Sequence, residues 1–132
     1  MKNRAFPLQE RVTAFSVNII LMHKEIEAIE AGRHIGKQLM RAATSVALNY
    51  AEATAAESRK DFIHKMKIGL KELRETNVCL EIICNADLIK SQNQIEKLQA
   101  ECDELSAIFV SSIKTALSNI VKGKRLIMNH ES

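Results

Sequence analysis

The sequence has few of the residues that make turns, and few aromatic residues. Its 132 residues include one proline, four glycines and no tryptophan, and aromatic residues make up 4% of the chain. Because proline and glycine are the strongest turn signals, a chain with so little of both is expected to form a few long elements. A core built with so few rings must be mainly aliphatic.

Long apolar runs are also missing. Unbroken apolar runs reach only four residues, as in Ile19–Met22, far fewer than the roughly 20 apolar residues that a membrane-spanning helix needs. The start, Met1–Arg4, is not followed by the apolar segment of a signal peptide. The sequence therefore predicts no membrane-spanning helix, and we expect a cytoplasmic protein.

No pattern in the chain is typical of a metal or catalytic site. Cys79, Cys84 and Cys102 lack CxxC spacing, which favours buried free thiols over zinc ligands or disulfides. A di-iron site in a helical bundle needs Glu-x-x-His motifs, and the nearest approach is Asp61–His64. No cluster combines a nucleophile, a base and oxyanion donors. We therefore expect no catalytic residues, no metal, no cofactor and no enzymatic activity.

Apolar residues recur at alternating steps of three and four, which is typical of helices with one buried face. The pattern runs through Val12–Ile29, Ile35–Ala53, Phe62–Ile83 and Ile95–Ile120. Short connections force successive helices to run antiparallel, so the prediction is an all-α, up-down-up-down four-helix bundle. It forms a single domain over residues 1–132, with frayed ends at about 1–5 and 123–132.

Three residues mark the expected ends of these helices. Gly32 is expected to end the first helix, where a residue at positive φ costs glycine least. Ser58, three residues before Asp61, and Ser91 are expected to cap the third and fourth helices. Those two helices are predicted to have roughly 30 residues each, or about 45 Å at 1.5 Å per residue.

The first and third helices carry more apolar residues than one buried face needs. The additional residues are Leu8, Val17, Ile20 and Leu21 in the first helix, and Ile63, Ile68, Leu70, Val78 and Ile82 in the third. Scattered exposed apolar residues are common on monomers. Because these residues recur at helical spacing, we favour a second buried face between subunits of a homo-oligomer.

Positive charge is concentrated on one face of the third helix. The net charge is +3, and Lys60, Lys67, Lys71 and Arg74 share this face with His64, while Arg33, Lys37 and Arg41 form a shorter row on the second helix. Such a face is typical of phosphate-backbone binding with poor sequence specificity, since no aromatic residues are interleaved. An ordinary solvated lysine-rich face explains the pattern equally well.

The two central helices also carry a set of polar residues that need partners if they are buried. They are Gln38, Asn49, Glu52, Glu72 and Glu75, with Thr76 beside them. Arg41 is the obvious partner for a carboxylate. These residues form either a binding or subunit-contact site or a polar network that fixes the register of the helices, and we favour the network.

The segment from Gly32 to about Ile83 resembles the bacterial four-helix bundle family, also called the intervening-sequence protein family after reading frames inside 23S ribosomal RNA genes. The motifs that match are Gly36–Leu39, Asn49–Ala53, Ala56–Ser58, Asp61–Lys65 and Leu70–Glu72, with Arg41 and Ser45. The resemblance implies an antiparallel bundle that assembles into a homopentameric ring. The family also includes the accessory variability determinant of diversity-generating retroelements, a basic pentamer that binds a reverse transcriptase and nucleic acid.

Two functions remain open from the sequence. The leading hypothesis is a non-enzymatic homo-oligomer, pentameric as the resemblance implies, that binds RNA or DNA through the basic face and has an accessory role in RNA or DNA metabolism, with a reverse transcriptase as one potential partner. The alternative is a protein-interaction scaffold without nucleic-acid binding. Neither hypothesis involves a membrane.

Overall fold

The chain forms a bundle of four α-helices, seen in a computed structural model that describes residues 7–131, with side chains described up to Asn129. The helices are α1 (Leu8–Ile26), α2 (Glu30–Thr54), α3 (Arg59–Asn85) and α4 (Gln92–Glu131). Each helix packs against the next, and α4 packs back against α1. This confirms the predicted all-α four-helix bundle. The predicted frayed start, residues 1–5, lies outside the described residues.

The predicted serine caps begin α3 and α4. Ser58 has extended backbone, with φ −138°, and its Oγ accepts a hydrogen bond of 3.1 Å from the amide of Asp61. Ser91 Oγ accepts a hydrogen bond of 3.3 Å from the amide of Gln94. Each serine oxygen therefore satisfies an amide that the first turn of a helix leaves without a partner.

The prediction that Gly32 ends the first helix is wrong. Helix α1 ends at Ile26, and Gly32 lies in the first turn of α2 with a negative φ. A Cβ at this position would collide with the carbonyl oxygen of Ile26 and come within 3.0 Å of the Ile26 Cβ. Glycine is therefore needed for the close approach of two helices, and the left-handed backbone lies instead at Asp87, with φ 56°, after α3.

Helix α4 is longer than predicted, with 40 residues against the expected 30 or so, while α3 has 27. Arg59, the first residue of α3, donates a hydrogen bond of 3.4 Å to the carbonyl of Asn119. Residues 120–131 therefore extend about 18 Å past the start of α3 at 1.5 Å per residue. The described part of the predicted frayed end, residues 123–131, is helical and falls on this extension, where Leu126, Ile127 and Met128 are exposed. Residue 132 lies outside the described residues.

The core is aliphatic around two phenylalanines, Phe15 and Phe109. Two glycines let the helices approach closely, since a Cβ on Gly36 would overlap the His23 imidazole and one on Gly69 would lie 2.6 Å from the Phe109 ring. Close approach of this kind fixes which residues of neighbouring helices lie at the same height. The register between α1 and α2, and between α3 and α4, is therefore built into the packing.

The three cysteines are free thiols. Cys79 and Cys102 are buried and Cys84 is half-buried. Burial raises the pKa of Cys102 to about 12 and also raises the pKa of Cys79, so both stay protonated at neutral pH. Within the described part of the chain, none of the helices is both long and apolar enough to cross a membrane.

Candidate nucleic-acid interface

Four cations form one exposed face along the N-terminal part of α3, called the basic face below. They are Lys60, Lys67, Lys71 and Arg74, all exposed. Their spacings of seven, four and three residues place them on one side of the helix. Over this length the face spans about 21 Å at 1.5 Å per residue. His64 is exposed on the same side.

The cations of the basic face have no directly paired carboxylate among the described side chains, although Lys71 lies near enough to Glu75 to help lower the pKa of that carboxyl. Among the side chains that the structure describes, no carboxylate oxygen lies within 4.0 Å of the side-chain nitrogens of Lys60, Lys67, Lys71 or Arg74. By contrast Lys65, on another side of the same helix, lies 2.9 Å from Glu52. A row of exposed cations without directly paired carboxylates produces a positive potential that attracts anions.

The three cations predicted on α2 have different surroundings. Arg33 donates a hydrogen bond of 3.0 Å to the carbonyl of Glu27, so its guanidinium lies at the turn between α1 and α2. Lys37 is exposed. Arg41 alone reaches the partner helix α3, where it binds two carboxylates. The structure therefore brings Arg41, but not Arg33, to the edge of the basic face.

The contacts of Arg41 join the middle of α2 to α3. Its Nη1 lies 3.2 Å from Glu72 Oε2 and its Nη2 lies 2.6 Å from Glu75 Oε2. The Glu72 residue is buried, and its carbonyl accepts a hydrogen bond of 2.8 Å from the buried hydroxyl of Thr76. This pairing of an arginine with two carboxylates is the contact expected of a group that fixes helix register.

The other predicted polar residues do not join this cluster. Asn49 donates hydrogen bonds to the carbonyl and hydroxyl oxygens of Ser45, on its own helix, and Glu52 pairs with Lys65 near the other end of α3. Gln38 lines the α2–α3 groove, a surface depression of about 510 Å³. The groove is lined by Ile35, Gln38, Arg41, Lys71, Arg74, Glu75, Val78 and Cys79. The predicted residues therefore do not form one continuous network.

The Arg41 contacts should make stability depend on pH. Hydrogen bonding to Arg41 holds the pKa of Glu75 below its ordinary value of 4.5. A carboxyl with a lowered pKa contributes stability above its ordinary pKa, and that contribution is lost as pH falls through the folded value. Between pH 7 and about pH 3, the free energy of unfolding measured with urea should therefore fall less in Arg41→Met than in the original protein.

The matched control is Lys97→Met, which removes an exposed cation on α4 that has no acidic partner within 4.0 Å among the described side chains. It should keep the pH dependence of the original protein. The same pH dependence in Arg41→Met and in the original protein would contradict the role given to this contact.

Sequence reasoning missed Lys114, which the structure places beside the basic face. The α3–α4 groove, a depression of about 420 Å³, is lined by Lys67, Leu70, Arg74, Val110, Ile113 and Lys114. The spacing within α4 does not distinguish Lys114 from other exposed lysines. Only the pairing of α3 with α4, fixed by contacts such as Gly69 with Phe109, shows where it lies.

Among the described residues, no group of three His, Cys, Asp or Glu side chains is arranged so that it could hold a metal ion. The site that the geometry does form is electrostatic. It consists of the basic face, the paired Arg41 at one edge and Lys114 at the other.

Comparisons with known proteins identify one family. The profile of the 23S rRNA-intervening sequence proteins matches residues 7–111. A similar solved structure is that of a protein of unknown function from the S23 ribosomal protein family of Bacteroides thetaiotaomicron, with 31% sequence identity and a TM-score of 0.76. The alignment covers 82% of this chain and 99% of that one. Among curated proteins, none matches.

Proposed function

This chain belongs to the 23S rRNA-intervening sequence protein family, and we propose that it is a non-enzymatic, self-associating bundle that binds nucleic acid through the basic face. Its role is accessory, in RNA or DNA metabolism. The observation that carries the proposal is the row of four exposed cations on α3 without a carboxylate within 4.0 Å among the described side chains. Such a row fits the phosphate backbone, which presents negative charges at regular spacing.

The proposed contacts are to phosphates, so binding depends strongly on salt and weakly on sequence. The described aromatic side chains are Phe15, Tyr50, Phe62 and Phe109, each of them buried or half-buried, which leaves no ring on the basic face for base stacking. Each phosphate neutralised by a cation contributes about −0.9 to the slope of log K against log salt on duplex DNA. Four contacts correspond to a slope of about −3.6.

Self-association is supported by two exposed apolar patches on opposite sides of the bundle. Val17 and Leu21 are 48% and 51% exposed on α1, and Val78 and Ile82 are 53% and 45% exposed on α3. Both helices pack on α2 and α4, so α1 and α3 occupy opposite corners. Two unlike patches that face away from each other fit a heterologous contact, the kind that forms a ring when the rotation between subunits closes. We propose five subunits, as the resemblance implies.

Charge reversal tests the basic face. Lys67→Glu/Lys71→Glu should weaken binding of a short structured RNA more than tenfold at low salt, because two phosphate contacts become repulsions. The measurement is fluorescence anisotropy over a series of salt concentrations. The control, Lys24→Glu/Lys97→Glu, changes the net charge equally but at exposed positions away from α3. Equal loss in both double variants, or no loss in either, would overturn the proposed site.

Light scattering on the same samples tests the assembly. The original protein and the Lys67→Glu/Lys71→Glu variant should both show one discrete oligomer, since the apolar patches are unchanged. A monomer would contradict self-association. An oligomer that binds no RNA at any salt concentration would instead support the alternative of a protein-interaction scaffold.

A further inference from the structure

The α3–α4 groove differs from the rest of the basic face because it combines cations with an apolar floor. Lys67 and Arg74 lie on the α3 side and Lys114 on the α4 side. Between them lie the half-buried Leu70 and Val110. No carboxylate lines the groove, and in the described part of the chain none lies within 4.0 Å of the three cations.

The cations and the apolar floor set two requirements on the chemistry of a ligand. The cations favour an anionic group, and the apolar floor favours a flat or apolar group that leaves water when it binds. The depression, of about 420 Å³, is open to solvent, so an occupant lies against its floor and is not enclosed by it. The occupant must therefore carry negative charge and an accessible apolar surface within a few ångströms of each other.

An unpaired nucleotide meets both requirements, whereas a paired nucleotide does not. In a duplex the faces of the bases are stacked on one another, so only the phosphates and the base edges can reach a protein surface. In a single strand the face of a base is free to lie on an apolar floor while its phosphate contacts nearby cations. We propose that the α3–α4 groove binds an unpaired nucleotide, so that this protein prefers single-stranded segments, and this rests on the proposed function.

The proposal assigns a role to each side of the groove. Lys114 joins Lys67 and Arg74 in contacting the phosphate, and the side chains of Leu70 and Val110 contact the base face. Contact with aliphatic side chains is possible for every base, so the preference is for unpaired structure and not for a sequence. This distinguishes the groove from the remainder of the basic face, where Lys60 and Lys71 contact backbone phosphates in either kind of nucleic acid.

The test compares a fluorescein-labelled oligothymidylate, which has no stable secondary structure, with a duplex of the same length, by anisotropy. The original protein should bind the single strand more tightly. Val110→Asn, which makes the floor polar without changing any charge, should weaken single-strand binding about fivefold and leave duplex binding unchanged. Lys114→Gln should weaken single-strand binding and reduce its salt slope by about 0.7.

Lys97→Gln is the control for Lys114→Gln, since it removes one exposed charge from α4 far from the groove. It should change neither affinity. Equal affinity for both nucleic acids, with no effect of Val110→Asn or Lys114→Gln, would overturn the nucleotide-binding role of the groove. It would not affect the proposed role of the basic face. Loss of both affinities to the same extent in Val110→Asn would also overturn it. No binding of either nucleic acid by the original protein would overturn the proposed function as well.

Discussion

Gly32→Ala should destabilise the protein by about 2 kcal/mol, although alanine is the better helix former. At a helical position with free space around it, replacing glycine by alanine raises the free energy of unfolding by up to about 1 kcal/mol. At Gly32 the new methyl group meets the carbonyl oxygen of Ile26. That oxygen belongs to the backbone of α1 and cannot move unless the whole end of the helix moves, which costs about 3 kcal/mol as an overpacked contact.

Gly123→Ala is the matched control, and its expected effect on stability has the opposite sign. Gly123 also lies inside a helix, but nothing lies within 4 Å of the position that its Cβ would take. This variant should be unchanged or more stable by about 0.5 kcal/mol. Thermal unfolding followed by circular dichroism, at one protein concentration, should place the midpoint of Gly32→Ala roughly 8 °C below that of the original protein. A midpoint for Gly32→Ala at or above that of Gly123→Ala would contradict the packing at this turn.

Arg11→Met should cost about 3 kcal/mol of stability, because it breaks the charged contact that closes the bundle between α1 and α4. Arg11 is 4% exposed, and its Nη2 lies 2.6 Å from Glu101 Oε1 and 3.3 Å from Glu104 Oε1. The side chain of Glu101 is 19% exposed. Without the guanidinium this carboxylate stays in a poorly hydrated place without its partner, and breaking a buried pair costs about 3–5 kcal/mol. We expect the lower end because water still reaches Glu101.

The double variant Arg11→Met/Glu101→Met separates the pair from the packing. Two apolar side chains of similar length can fill the space without leaving a charge behind, so the loss should be less than half of that in Arg11→Met. Urea unfolding of the two single variants and the double variant gives the coupling free energy directly. Additive losses in the double variant would show that the two side chains act independently.

The faces of the helices could be predicted from the sequence, but the pairing between faces could not. Spacing identified the basic face on α3 and the buried seam of each helix, because both follow from the 3.6-residue period. It could not place Lys114 beside Lys67, because this depends on the register of α4 against α3. Arg41 was correctly expected to bind a carboxylate, while the choice of Glu72 and Glu75 over Glu52 depends on the same kind of register.

The errors at the helix ends have a physical origin as well. Gly32 was interpreted as a helix end because glycine tolerates positive φ, yet its small size is what the structure uses. The turn after α3 placed its left-handed residue at Asp87, a residue type that adopts this conformation more often than most but less clearly than glycine. Helix α4 continues beyond the start of α3 because no proline interrupts it between Gln92 and Glu131.

The outer face of α3 changes from basic to apolar within one turn, between Arg74 and Val78. In the proposed assembly, a neighbouring subunit that covers Val78 and Ile82 leaves Lys60 and Lys67 uncovered, because these lysines lie about 16 Å or more from Val78 along α3 at 1.5 Å per residue. In that proposed assembly, each added subunit contributes one more of the proposed phosphate-binding sites at a fixed distance from the last. Binding at one site raises the effective concentration of nucleic acid at the next, so that avidity, rather than the strength of any one site, sets how long the complex lasts.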